Sequence, residues 1–338
     1  MAQALAVKYR PQTLEEIVSQ KSIIKILTKQ VQSGLIKNCY LFCGPSGTGK
    51  TTTARAFAKL INNSIGEPIE IDAASNSGVD NVREIIRQAQ ERSIEGKYKI
   101  FIIDECHAMS NQAWQAFLKC IEEPPTYTIF MFCTTDPQKI PATIINRVQR
   151  FNLTKIETPL IVERLKYICS CEHIGYNDDA IEFIAKLSDG GLRDSIASLE
   201  KVADYGYVNI DNTLECLGSY SYAMFFTLVN AIIDGRDDIV LQVIDDVHSQ
   251  GSDLKIFVEQ FLNFCLDLSK YAIFGNCSLT KLPSSMEDEM KNATAIENAK
   301  NYYVYLIDKL LDLKMMLKND TNIKDTIEVC FLRMCRYL

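Results

Sequence analysis

The segment GPSGTGKT, Gly44 to Thr51, directly follows the apolar run CYLFC and precedes a helical pattern. Its spacing, G-x4-G-K-[ST], in that strand-to-helix context, is that of a phosphate-binding loop. Glycines let backbone N–H groups wrap phosphate oxygens, and the positive end of the following helix dipole favours the anion. Lys50 can reach the β- and γ-phosphates, and Thr51 can supply a hydroxyl to Mg²⁺. The candidate nucleotide-binding set here is Gly44, Ser46, Gly47, Thr48, Gly49, Lys50, Thr51 and Thr52. Downstream, FIIDECH (101–107) runs three apolar residues straight into two acids. Burying a carboxylate is costly unless it is paired or binds a metal. Asp104, at the end of a strand, suits the second magnesium position. Glu105 can orient or deprotonate a water, which implies hydrolysis rather than transfer to a bound acceptor. The plainer reading of the two acids is a solvated strand end, and His107 reads as a polar loop residue.

These residues need a scaffold that holds a loop and a strand end side by side. The first half supplies it: CYLFC (39–43), IEID (69–72), KIFIID (99–104) and TIFMFCTT (128–135) are short apolar runs. Helical patterns separate them at Thr51 to Ile61, Val79 to Ser93 and Asn111 to Glu123. Short buried strands alternating with helices predict an α/β domain with a mainly parallel sheet. After about Lys155 the pattern is helix after helix, with turn signals at Gly175-Tyr176-Asn177, Asp189-Gly190-Gly191, Tyr205-Gly206, Gly235 and Leu282-Pro283-Ser284. Boundaries are expected near 155 and 212, giving an α/β domain (1–155), a small helical domain (156–212) and an all-α domain (213–338). In the last of these, Leu254, Phe257, Val258, Phe261, Cys265 and Leu268 recur every three or four residues, an apolar stripe expected to face a core.

Composition excludes several classes. The 338 residues are 47% hydrophobic and 23% charged, ordinary for a globular chain of two or three domains. MAQALAVKYRPQT lacks the apolar core of a signal peptide. The most apolar helical stretch, Leu254 to Phe274, carries Lys255, Glu259, Asp267 and Lys270, which argues for a core helix rather than a membrane span. A cytoplasmic protein without a membrane partner is expected. The twelve cysteines contain no CxxC pair and lie mostly in apolar runs, so neither zinc nor a disulfide framework is expected. Net charge is −7 but uneven: residues 1–155 carry +5 and the remainder −12. The first part can therefore present a basic face, although the whole chain is no obvious nucleic-acid binder.

With these segments in order, the chain resembles the AAA+ clamp-loader ATPases, in particular the gamma/tau subunits of bacterial DNA polymerase III, with replication factor C small subunits as further relatives. KYRPQTLEEIVSQ (8–20) resembles the family's adenine-side segment, GPSGTGKTT its phosphate loop and EIDAASNSGVDNVREI (70–85) the block after the second strand. IIDECHAMSNQAWQAFLKCIEEPP (102–125) resembles the acidic box with its helix. TTDPQKIPATIINRVQRF (134–151) resembles sensor 1 with the arginine-finger region, and GGLRDSIASLEK (190–201) resembles sensor 2. The blocks span about 200 residues.

The resemblance implies an ATP-dependent motor that opens a sliding clamp on primer-template DNA, within a ring-like, pentameric assembly of sister subunits joined by a helical collar. ATP and Mg²⁺ are the implied cofactors. Tyr9, Arg10, Pro11 and Val18 are implied to flank the adenine, Thr135 to be sensor 1, and Arg193 to reach the nucleotide from the lid domain. Arg147 is implied to act in trans on a neighbour's ATP. From the residues alone, Arg147 and Arg150 are surface arginines and Thr135 an ordinary strand end. Two other jobs fit the same fold: a DNA-translocating ATPase of the branch-migration type, and a scaffold that binds nucleotide without turnover.

The chain departs from the family pattern in places. Ser-Arg-Cys is replaced by Asn146-Arg147-Val148, and LINNSIGEP (60–68) stands where bacterial members carry a four-cysteine zinc module. The long tail of tau-type subunits is not expected, which suits a compact loader subunit of a phage or a divergent bacterium. After Ser75 come Asn, Ser and Gly rather than basic residues, so a weak grip on DNA per subunit is expected.

Overall fold

The computed structural model describes residues 3–93, 95–217, 220–249, 251–277, 279–318 and 320–336. The chain divides into two compact units, Met1–Cys171 with Ser188–Glu200, and Glu172–Leu187 with Lys201–Leu338.

The first unit is built on five strands: β1 (Cys39–Cys43), β2 (Ile69–Asp72), β3 (Lys99–Asp104), β4 (Thr128–Thr134) and β5 (Gln149–Asn152). They pair in parallel in the order β2-β3-β4-β1-β5. Four of them fall on the expected apolar runs. The fifth, QRFN, places only Phe151 in the core and pairs along β1. Around the sheet lie α1 (Leu5–Lys8), α2 (Lys21–Ser33), α3 (Lys50–Ile61), α4 (Val79–Ala89), α5 (Asn111–Glu122), α6 (Ala142–Ile145) and α7 (Thr158–Glu172).

Strands β1, β3 and β4 read as near-continuous apolar runs because both faces of the sheet are covered there. Side chains alternate between two cores. Leu41, Phe101, Ile103, Phe130 and Phe132 pack with Val82, Ile85, Trp114 and Phe117 of α4 and α5. Tyr40, Phe42, Ile100, Ile102 and Met131 pack on the other face with Leu27 of α2 and Ala54, Phe57 and Ile61 of α3.

The strand order fixes the site. β4 lies between β1 and β3, so the loop leaving β1 and the acids leaving β3 flank the end of β4. In open parallel sheets, ligands bind at that carboxyl edge.

Helix α4 ends at Ala89 instead of continuing to Ser93, as its local pattern predicts. Its last carbonyls are capped from elsewhere: Lys99 Nζ donates to Gln88 O (2.7 Å), Thr128 Oγ1 to Ala89 O (2.8 Å) and Tyr127 Oη to Gln90 O (2.6 Å). These donors satisfy groups that another helical turn would otherwise have used.

After α8 (Asp178–Leu187), which belongs to the second unit, α9 (Leu192–Tyr205) begins in the first. The second unit continues with α10 (Ile210–Cys216), α11 (Tyr222–Ile233), α12 (Asp237–Ser249), α13 (Leu254–Phe274), α14 (Glu287–Ala293), α15 (Ala299–Met316) and α16 (Ile323–Met334). The α13 stripe Leu254, Phe257, Val258, Phe261, Cys265 and Leu268 is buried in this unit's core, as its spacing requires. Buried Asp267 is satisfied by Lys270 Nζ (2.8 Å) and the Lys281 N–H (2.9 Å), which is why a charge is tolerated inside that helix. Among the described residues no helix is long and apolar enough to cross a membrane.

Candidate functional site

Loop 44–49 turns from β1 into α3, and Gly47 (φ +71°) and Gly49 (φ +95°) take left-handed conformations that side chains disfavour. Gly47 is also constrained from outside. Leu192 N donates to Gly47 O (3.1 Å), and a Cβ on Gly47 would sit 2.8 Å from Gly191 Cα. The clash is with backbone, so Gly47→Ala is expected to lower stability by about 1–3 kcal/mol, the usual cost of overpacking. Thermal unfolding of the variant checks this, and a wild-type midpoint would contradict so close an approach.

Within the loop, Thr48 Oγ1 donates to Pro45 O (2.9 Å). Lys50 Nζ donates to Gly44 O and Pro45 O, both at 2.9 Å. An ammonium has three donors, so one remains for a phosphate oxygen. Thr51 Oγ1 donates to Asp104 Oδ2 at 2.7 Å, joining the first turn of α3 to the end of β3. A hydroxyl and a carboxylate so close are hard oxygen ligands of the kind Mg²⁺ prefers. The two residues the sequence offers for Mg²⁺ are thus brought together.

Glu105 follows with φ +45°, an uncommon conformation for a residue with a side chain. Its N–H donates to Asp104 Oδ1 (3.0 Å), and its Oε2 accepts from Thr135 Oγ1 (3.2 Å). His107 Nδ1 lies 3.3 Å from the same Oε2 and 3.2 Å from Thr134 Oγ1. Beneath them, burial pushes the Cys106 and Cys133 thiols well above their ordinary range, so they stay protonated.

A cavity of about 310 Å³ opens beside the loop. Ser46, Gly47, Thr48, Gly49, Lys50, Thr51 and Thr52 line it, together with Tyr9, Arg10, Pro11 and Val18, the acids Asp104 and Glu105, and Arg193. Sequence reasoning missed Ile156, Leu192 and Ile196, which supply apolar wall, and Arg55. Arg55 lies on α3 one turn beyond Thr51, and side chains tilt toward a helix N-terminus, so the guanidinium leans back toward the cavity. It ion-pairs with Glu70, and its Nε is buried without a hydrogen-bond partner. The i, i+4 spacing from Thr51 is the signal that could have found it. Burial, reinforced by the nearby charges of Arg55 and Arg193, pushes the Arg10 guanidinium below its ordinary value, while Glu70 and Asp104 pull the other way.

Gly44, Thr135 and Arg147 are not among the cavity-lining residues. Gly44 contributes its carbonyl to Lys50, and Thr135 acts on Glu105. Arg147 pairs with Glu122 (Nη2 to Oε1, 2.7 Å) and donates through Nη1 to Thr143 O (2.7 Å).

Comparison with known proteins gives several matches. The family model "DNA polymerase III subunits gamma and tau domain III" matches residues 208–337, "DNA polymerase III, delta subunit" matches 67–157, and "Rad17 P-loop domain" matches 2–76. The tau subunit of DNA polymerase III from Bacillus subtilis is 34% identical over 292 residues, covering 80% of this chain and 52% of that protein. The chain therefore spans about half that relative's length. The gamma subunit from Buchnera aphidicola subsp. Baizongia pistaciae is 30% identical over 358 residues, covering 98% of this chain and 96% of that one. Among solved structures, RuvB of Thermotoga maritima, described as a Holliday junction branch migration motor, superposes with TM-score 0.52 at 21% identity, over 72% of this chain and 86% of its own. At that identity the likeness is one of fold.

Proposed function

Because the chain belongs to the family of DNA polymerase III gamma/tau subunits, we propose that it is an ATP-hydrolysing motor subunit of a sliding-clamp loader. Its first unit has the P-loop fold of AAA+ ATPases, and helices follow. The observation that carries the proposal is the 2.7 Å contact of Thr51 with Asp104 at the phosphate loop, with Glu105 anchored next to it by Thr135.

In this reading, loop N–H groups and Lys50 bind the ATP phosphates, while Tyr9, Arg10, Pro11 and Val18 flank the base. Thr51 and Asp104 would hold Mg²⁺, which would neutralise charge developing on the phosphates. Glu105 takes a proton from the attacking water. Thr135 orients Glu105, and Arg193 faces the nucleotide from residues 156–212, which act as a lid domain. Arg147 of one subunit completes the site of its neighbour in a ring-like, pentameric assembly held by residues 213–338. The partners are a sliding clamp, primer-template DNA and sister subunits, in the cytoplasm at the replisome. ATP binding sets the clamp-gripping state and hydrolysis releases it.

Steady-state ATP hydrolysis by the chain with its companion subunits tests the proposal. The expected result is a rate that primed DNA and cognate clamp together raise well above DNA alone. Full stimulation by DNA alone, with nothing added by the clamp, would point to a DNA translocase instead.

A further inference from the structure

We infer that His107 is a positioning residue for hydrolysis, holding one oxygen of the Glu105 carboxylate so that the other stays available to the attacking water. The inference rests on the proposed role of Glu105 as the group that takes the water's proton.

The chain path brings the two side chains together. Residues two apart on a helix do not normally face each other. Here Glu105 stands outside a single turn of 3-10 helix, Cys106–Ala108, and its φ of +45° reverses the chain. Ala108 N donates back to Glu105 O (2.9 Å), and Cys106 anchors the turn in the core. His107 thereby folds back against Glu105, half-buried at 21% exposure.

The chemistry of the contact is directional. An ionised carboxylate only accepts hydrogen bonds, so the 3.3 Å approach of Nδ1 to Glu105 Oε2 is favourable only when Nδ1 carries the hydrogen. Thr134 Oγ1, 3.2 Å from Nδ1, can accept from that tautomer as it accepts from Asp136 N (3.0 Å). Thr135 Oγ1 donates to the same oxygen at 3.2 Å, and the single Nδ1 hydrogen lies between Oε2 and Thr134 Oγ1, so two polar groups approach Oε2. Among the described residues Oε1 has no hydrogen-bond donor. A general base works through a held geometry, and partners that orient a reacting group commonly matter 10- to 100-fold.

The test is ATP hydrolysis by the assembled complex carrying His107→Ala, His107→Asn or His107→Gln. Asparagine can place an N–H where Nδ1 stands; glutamine carries its amide one atom further out. The Ala and Gln variants are expected to lose roughly 10-fold or more in kcat with KM for ATP unchanged, while Asn retains most of the rate. In the double variant Glu105→Gln/His107→Ala, the histidine change is expected to add no further loss, because it acts through Glu105. A wild-type kcat in His107→Ala would overturn the inference. So would a loss of ATP binding equal to the loss of rate and not rescued by Asn. Should His107→Ala fail to fold, the Asn–Gln comparison decides alone, equal rates counting against the inference. If Glu105→Gln by itself turns over at the wild-type rate, the underlying role of Glu105 is what fails.

Discussion

Replacing Arg147 by alanine is expected to cut ATP hydrolysis by the assembled complex by about 10³-fold or more, the scale of an arginine supplied in trans to phosphoryl transfer. Nucleotide binding by the isolated chain should be unchanged, because Arg147 is not among the residues lining that chain's own cavity. Stability should barely move. The pair with Glu122 leaves the two side chains 39% and 41% exposed, and such surface pairs contribute about 0–1 kcal/mol. A large loss confined to the assembled state is therefore separable from misfolding. Side-by-side titration of ATP binding and steady-state hydrolysis, with and without companion subunits, makes the comparison. Unchanged assembled activity would move the role to Arg150, whose Nε donates to Asn152 Oδ1 (2.8 Å).

Glu105→Gln is expected to retain ATP and clamp binding and to lose about 10²- to 10⁴-fold in hydrolysis, the contribution typical of a positioned general base. Glutamine has the same shape and can still accept from Thr135, so the cavity and the Thr51–Asp104 contact should survive. What it lacks is a carboxylate to receive the water's proton. Single-turnover hydrolysis at saturating Mg-ATP reads the chemical step directly. Wild-type turnover would remove Glu105 from the mechanism.

Much of the site is legible in the sequence because its signals are local. The loop spacing, the apolar run ending in Asp104-Glu105 and the four short runs each lie within a few consecutive residues, and β1 to β4 fall where those runs are. What is less legible depends on partners far along the chain. Strand β5 has little hydrophobic signal of its own and forms because β1 offers it an edge, with Phe151 completing the stack of Tyr40 and Phe42. Helix α4 stops at Ala89 because Lys99, Tyr127 and Thr128 cap it. His107 looks like a polar loop residue until the αL turn at Glu105 is known, and Arg55 like a helix-surface charge until Glu70 and the cavity are placed beside it. The residues whose proposed roles came through family resemblance, Thr135, Arg147 and Arg193, had no local pattern to announce them. The fold brings Thr135 against Glu105 and Arg193 to the cavity wall. Arg147 stands apart from its own chain's cavity, paired instead with Glu122 and the Thr143 carbonyl.

The first unit is not a continuous stretch of chain: Leu192, Arg193 and Ile196 line its cavity, yet they follow the excursion Glu172–Leu187 that belongs to the other unit. A protein made from its N-terminus delivers the phosphate loop early and this wall late. At about 5–20 residues per second, the interval between Lys50 and Arg193 leaving the ribosome is about 7–30 s. Through that window the sheet and loop have emerged without the wall that closes over them. In the newborn chain the cavity beside the phosphate loop is therefore complete only once nearly 200 residues have been made.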